Sequence, residues 1–229
     1  MDQMDITKIW VVIAAYNEDE VIAATVANTL LYVNNVIVVD DCSFDDTAHK
    51  AGEAGAYVLC HLINLGQGAA LQTGIEFALG KGAEYIVTFD ADGQHNANEL
   101  LPMLLALQQS QSDVALGSRF LGKASNLPWQ RRWLLKLIIL MAQVTQNSKL
   151  TDVHNGFRVL SRRFCEQFVF QQNRMAHASE IINYIASCNV KYIEFPVTIT
   201  YTEYSIRKGQ RGVNAFRIVM ELIMGYVSK

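Results

Sequence analysis

Short apolar runs alternate along the chain with segments whose apolar positions recur at helical spacing. Residues 8–15, 36–39, 57–60, 85–89 and 114–117 are dominated by Val, Ile, Ala, Leu, Tyr and Phe, the composition of buried strands. Between them, helical segments are predicted at about 19–31, from a cap among Ser43, Asp45 and Asp46 to Gly52 or Gly55, at 69–79, and at 98–109. Strands alternating with helices at this spacing predict an α/β, Rossmann-like fold, a mostly parallel central sheet with helices on both faces and right-handed crossovers. The second half is less regular. A helix is predicted at 127–144 with Pro128 near its start, a short strand or turn at 152–158, and a helix at 177–187 carrying Glu180. An extended stretch at 190–200, a basic glycine-containing loop at 207–212 and an apolar helix at 213–227 follow. No linker interrupts the pattern, so residues 1–229 read as one domain, a nucleotide-binding half (1–120) and an acceptor half (121–229).

Three of the predicted strands end in polar clusters: Tyr16-Asn17-Glu18, Asp40-Asp41 and Asp90-Ala91-Asp92. In a parallel sheet all three fall on the carboxyl edge, where open α/β sheets bind ligands. Gly93 permits a tight turn after the last cluster. Asp90 and Asp92 are hard oxygen ligands close together, a pattern suited to Mg²⁺ or Mn²⁺, which fill their remaining positions with water and phosphate oxygens. Taken alone, Asp-Ala-Asp is more readily a solvated turn that caps the next helix. Three clusters at one edge shift the balance toward a ligand site.

Composition narrows the classes. Half the residues are apolar (51%), enough for a sizeable core, and the formal charge of −3 gives no electrostatic case for nucleic acid. Cys42, Cys60, Cys165 and Cys188 lie far apart, which fits a reducing compartment better than a zinc site or a disulfide framework. The acidic first residues run into a strand without the pattern of a signal peptide, and no apolar run is long enough to span a bilayer.

Assembled in order, the motifs resemble family 2 glycosyltransferases, in particular the dolichol- and polyprenyl-phosphate sugar transferases. The resemblance covers about residues 9–210. It is carried by Ala14-Ala15-Tyr16-Asn17-Glu18, Val39-Asp40-Asp41-Cys42-Ser43 with Asp46-Thr47, Asn64-Leu65-Gly66-Gln67-Gly68, Asp90-Ala91-Asp92-Gly93-Gln94, Gly117-Ser118-Arg119, and Asp152 through Arg158. The family usually has proline where Ala14 stands and glycine where Cys42 stands, both at turns. The C-terminal basic segment also differs, its lysine falling at a shifted position.

The resemblance implies a GT-A fold, a UDP-, GDP- or dTDP-linked sugar as donor, a divalent cation and inversion at the anomeric carbon. Carried over residue by residue, it implies a metal held by Asp92 with Asp90 and Gln94. Donor contacts fall on Ala14, Tyr16, Glu18, Asp41, Asp90, Ala91, Asp92, Arg119 and Lys208: Asp41 on the base, Tyr16 stacking on it, Glu18 on the ribose or base edge. Arg119 and Arg158 suit an acceptor phosphate, unless Arg158 instead pairs with Asp152. Asp152 is the candidate catalytic group beside the nucleophile, with Glu180 as its rival. His154 and His177 read as local hydrogen-bonding residues, since no second histidine lies at ligand spacing.

The implied acceptor is lipid-linked, which places the enzyme in the cytoplasm, peripheral at the inner face of the cytoplasmic membrane. Residues 129–141 mix tryptophan and cations with an apolar run, as membrane–water interfaces favour. Residues 213–227 are apolar nearly all round and call for a membrane surface, a second subunit or a membrane-protein partner. Two other chemistries share these features: transfer onto a sugar hydroxyl of a growing glycan, and nucleotidyl transfer. A non-catalytic protein of the same fold is disfavoured by the complete set of carboxylates.

Overall fold

The computed structural model describes residues 5–125, 150–152, 155–173 and 177–209. The described residues form a seven-stranded sheet. Its strands are β1 (Ile9–Ala15), β2 (Asn35–Asp40), β3 (Tyr57–Cys60), β4 (Tyr85–Asp90), β5 (Val114–Ser125), β6 (Arg158–Ser161) and β7 (Tyr192–Thr200), in the spatial order β3-β2-β1-β4-β6-β5-β7. Only β6 runs against the others. The expected mostly parallel sheet is therefore present. The chain builds outward from β1 to β2 and β3, then returns to place β4 on the other side of β1. That reversal opens a crevice beyond the carboxyl ends of β1 and β4.

Alternate residues along each central strand feed two cores. Val11, Ile13, Val87 and Phe89 face one layer, with α1 (Ile22–Leu30), α2 (Thr47–Glu53) and α4 (Leu100–Gln109). Trp10, Val12, Ile37 and Ile86 face the other, with α3 (Gln67–Gly80), α5 (Arg162–Gln167) and α6 (His177–Ser187). Burial on both faces explains why these strands read as continuous apolar runs rather than as alternating ones.

Several boundaries differ from the sequence reading. The first helix begins at Ile22, not near residue 19. Its approach is held otherwise: Asn17 adopts a left-handed φ of 53°, and the Glu18 amide donates to Thr47 Oγ1 at 2.8 Å. Asp46 takes the N-cap position of the next helix without a side-chain cap bond, and Asp45 accepts the Thr47 amide at 3.0 Å. β5 continues to Ser125, pairing with β7 across a register shift between Ser118 and Lys123. The first half of the expected basic loop is helix: residues 207–209 complete α7 (Glu203–Gly209), and 210–212 lie outside the described residues. Thr202 and Ser205 start that helix with a reciprocal pair, each side-chain oxygen accepting the other residue's amide (3.0 and 3.1 Å). The helices read at 127–144 and 213–227, the interfacial segment 129–141 and His154 lie outside the described residues.

Candidate active site

A cleft of about 530 Å³ opens at the carboxyl edge of β1, β2 and β4. Ala14, Tyr16, Glu18, Asp41, Asp90, Ala91, Asp92, Gln94, Arg119 and Lys208 all line it. Gln67, His95, Ile199 and Ser205 line it as well and carried no role in the sequence reading. Its volume is of the order of ordinary small-ligand sites.

The two carboxylates after β4 have different surroundings. Asp90 receives Gln67 Nε2 on Oδ1 at 3.2 Å and His95 Nε2 on Oδ2 at 2.8 Å. Burial opposes its ionisation, but the hydrogen bond from His95 and the charge of Arg158 outweigh it and hold its pKa below the usual range. Both Asp90 oxygens are thus engaged by side chains. Asp92 bonds only within its own turn, accepting the Gln94 amide at 3.1 Å and the Gln94 side-chain amide. Burial and the negative charge of Asp90 push Asp92 up to about 6. Gly93 turns the chain at φ 71°, as its position requires. Among the described residues, Asp92 is therefore a carboxylate with no ion-pair partner. Its donor set, one hard oxygen with the Gln94 amide beside it, fits Mg²⁺ or Mn²⁺ completed by water and phosphate oxygens.

Asp41 is held from within. Its oxygens accept the Leu65 and Gly66 amides at 2.8 and 2.7 Å, and His61 Nδ1 lies at 2.7 Å. It fixes the 61–66 loop at the rim of the cleft, a use that the expected base contact did not include. Glu18 is similarly engaged: Lys208 Nζ lies 2.6 Å from Oε1, and Tyr204 donates to Oε2 at 2.7 Å. Lys208 also donates to the carbonyls of Asn17 (2.6 Å) and Tyr16 (3.1 Å). Thus α7 clasps the loop after β1, and burial together with Glu18 raises the Tyr204 pKa. Tyr16 remains 39% exposed, its ring edge-on to Phe44 at 6.4 Å.

The acceptor side differs from its sequence reading. Asp152 does not line the cleft. It is 4% exposed, and its Oδ2 accepts Arg119 Nε at 2.6 Å and the Arg119 amide at 3.1 Å. Arg119 donates onward to Tyr201 Oη at 2.8 Å. Arg158 is 2% exposed on β6, opposite Thr88 of β4, so the expected contact with an acceptor phosphate is replaced by a buried charge near Asp90 and Asp152. Burial lowers its pKa to about 10 against the pull of those two carboxylates. Glu180, the rival base, accepts the Gln171 and Gln172 amides at 2.8 and 2.9 Å and so shapes that turn.

Sequence reasoning missed Gln67, His95, Tyr204 and the full use of Gly156. Gln67 stands inside a motif already singled out and His95 directly follows another, and the Thr202-x-x-Ser205 pair was a readable signal for the helix that brings Tyr204 to Glu18.

Comparison with known proteins agrees with this geometry. The profile described as "Glycosyl transferase family 2" matches residues 10–169. The UDP-N-acetylglucosamine–dolichyl-phosphate N-acetylglucosaminyltransferase of Methanococcus voltae is 26% identical, over 94% of this chain and 95% of that one. The polyprenol monophosphomannose synthase of Mycolicibacterium smegmatis is 29% identical, over 86% and 79%. In fold, the chain is similar to glucosyl-3-phosphoglycerate synthase from Mycobacterium tuberculosis, solved with Mg²⁺ and UDP. That match has a TM-score of 0.66 at 16% identity, covering 94% of this chain and 79% of that one. The mostly parallel sheet with helices on both faces is the expected GT-A fold. With its profile match and its relatives, the chain is a glycosyltransferase and belongs to glycosyl transferase family 2.

Proposed function

We propose that this enzyme transfers a sugar, with inversion, from a nucleotide-sugar to a polyprenyl phosphate or similar lipid-linked phosphate, and that it requires Mg²⁺ or Mn²⁺. The observation that carries the reading is the division of the cleft: an uncompensated carboxylate, Asp92, faces a guanidinium, Arg119, that carries its own buried counter-ion. A diphosphate cannot settle beside Asp90 and Asp92 without a cation between like charges. The cation, held by Asp92 with Gln94, supplies Lewis-acid stabilisation of the charge that develops on the leaving diphosphate.

The chain's own residues do the rest. Tyr16 and the loop held by Asp41 take the nucleoside end. Asp90, fixed by Gln67 and His95, meets the ribose or sugar. Arg119, held in orientation by Asp152 and Tyr201, binds the acceptor phosphate as a preorganised fork. The acceptor oxygen is already anionic, so its attack on the face opposite the leaving diphosphate needs no base. Asp152 then serves to position. The names of the two relatives, acting on dolichyl phosphate and polyprenol, support a lipid acceptor. Among the described residues no helix is long and apolar enough to cross a membrane. We propose that residues 129–141 reach such an acceptor by contact with the membrane surface, and that 213–227 meet the membrane, a second subunit or a membrane-protein partner.

The test is transfer of labelled sugar from a panel of UDP-, GDP- and dTDP-sugars to polyprenyl phosphate in anionic liposomes, with sedimentation of the same samples. Labelled glycolipid, free nucleoside diphosphate and protein in the liposome pellet are expected. Release of pyrophosphate, or transfer only to sugar hydroxyls, would contradict the reading.

A further inference from the structure

The scheme above needs Asp90 in one orientation, and the protein invests several buried groups in holding it there. His95 Nε2 lies 2.8 Å from Asp90 Oδ2. The histidine side chain is 3% exposed. Its ring packs against Phe89 and Phe157 with centroids 5.0 and 5.4 Å away. Nδ1 is buried and has no hydrogen-bond partner. A buried N–H without an acceptor is costlier than a buried lone pair without a donor, so the proton belongs on Nε2, where it donates to Asp90.

Other groups restrain the carboxylate too. Gln67 donates to Oδ1 at 3.2 Å. Gly156 approaches so closely that a Cβ there would lie 2.2 Å from Oδ1 and 2.4 Å from Oδ2. Thr88 Oγ1 donates to the Gly156 carbonyl at 2.6 Å and pins that approach. The turn that carries His95 is fastened to β7, where the Thr200 amide donates to the Gln94 carbonyl at 2.9 Å.

We propose that His95 is a positioning residue: its Nε2–H, aimed by the rings of Phe89 and Phe157, fixes the Asp90 carboxylate in the orientation from which it meets the donor. The proposal rests on the reading of Asp90 as part of the donor site. It gives the histidine after Asp-Ala-Asp-Gly-Gln a task distinct from metal ligation and from proton transfer.

Two substitutions separate the N–H from the ring. His95→Phe fills the gap between the two phenylalanines but cannot donate. His95→Gln loses the ring but carries an amide N–H. The readouts are kcat and donor KM, the thermal midpoint, and the Asp90 orientation in crystal structures of both variants. Loss of a hydrogen bond to a charged group predicts that His95→Phe lowers kcat/KM roughly 10- to 100-fold, mainly through donor KM, with no fall in midpoint. His95→Gln should recover most of that loss. If His95→Phe fails to fold, His95→Met fills the same space with an adaptable apolar chain. Wild-type kcat/KM in His95→Phe, or a His95→Gln no better than His95→Phe, would overturn the proposal. If the unmutated enzyme transfers no sugar at all, the proposed activity fails separately. The crystal structures then decide the positioning claim, since Asp90 must turn away in His95→Phe and stay in His95→Gln. The same orientation in both would refute it.

Discussion

The two walls of the cleft use the same residue types in opposite ways. On the donor wall, carboxylates stand at the ends of neighbouring parallel strands, and one of them, Asp92, is paired with no cation among the described residues. On the acceptor wall, the cation Arg119 faces the cleft and its carboxylate, Asp152, is buried behind it. An unanswered buried charge is a demand for a ligand of opposite sign. An answered one is a rigid tool, because its partner fixes its direction while leaving outward N–H groups to work. The difference teaches that a carboxylate in a family motif is not by itself a base or a metal ligand; what already bonds to it decides.

The largest effect should come from removing the unanswered charge. Asp92→Asn should lower transfer by at least about 10²–10³, the scale seen when a preorganised electrostatic element is lost. Circular dichroism and the thermal midpoint should be unchanged, because Asp92 bonds only within its own turn. Near-wild-type turnover would erase the distinction between the walls.

Breaking the answered pair should look different. Asp152→Ala leaves the Arg119 charge in a site where its side chain is only 10% exposed. Removing one member of a buried pair typically costs about 3–5 kcal/mol of stability. Denaturant unfolding should show this loss, and acceptor KM should rise. Nucleotide affinity should hardly change, since Asp152 lies away from the donor wall. A loss of nucleotide affinity would mean that Asp152 belongs to the donor side. Asp152→Asn, which keeps an acceptor for Arg119, should lose less turnover on a lipid phosphate than the roughly 10²–10⁴ that loss of a true base costs.

Most of the donor wall was legible in the sequence, because its residues follow directly on strands buried on both faces. Asp41, Asp90 and Asp92 each sit within two residues of a strand end, so local pattern and fold logic sufficed. The contacts that tune them were not legible. Tyr204 reaches Glu18 across the domain, and Gly156 meets Asp90 only because β6 runs back beside β4. On the acceptor wall the partner was not legible: Asp152 was read as the group beside the nucleophile, with pairing to Arg158 as an alternative, whereas Arg119 bonds it. No one-dimensional spacing encodes which guanidinium a buried carboxylate chooses.

A pH titration sharpens the contrast further. Divalent binding needs Asp92 ionised, and its pKa in the metal-free protein is raised to about 6. Mn²⁺ affinity should therefore be full well above that value and fall about tenfold per unit below it. Calorimetric Mn²⁺ titrations between about pH 5 and 8 would check this, and a flat profile would remove Asp92 as the principal ligand.

The smallest effect concerns the rim. Cys42 stands at φ 63°, a left-handed conformation costly for a residue with a Cβ, where the family usually has glycine. Cys42→Gly should stabilise the fold by up to about 1 kcal/mol, the relief of that strain less the extra freedom of glycine in the unfolded chain. Urea unfolding measures it, and a destabilisation of similar size would show that the Sγ contact to the Leu62 carbonyl matters more than the strain.

The central claim, that the donor wall binds a nucleoside diphosphate only through a cation on Asp92, is tested most directly by thermal unfolding with UDP, GDP and dTDP. Each nucleotide is measured with Mn²⁺ and again with excess EDTA. One nucleotide with Mn²⁺ should stabilise the protein, by about 2.7 kcal/mol at a hundred times its dissociation constant, and EDTA should abolish the shift. An equal shift in EDTA, or none with any of the three in Mn²⁺, would contradict the account.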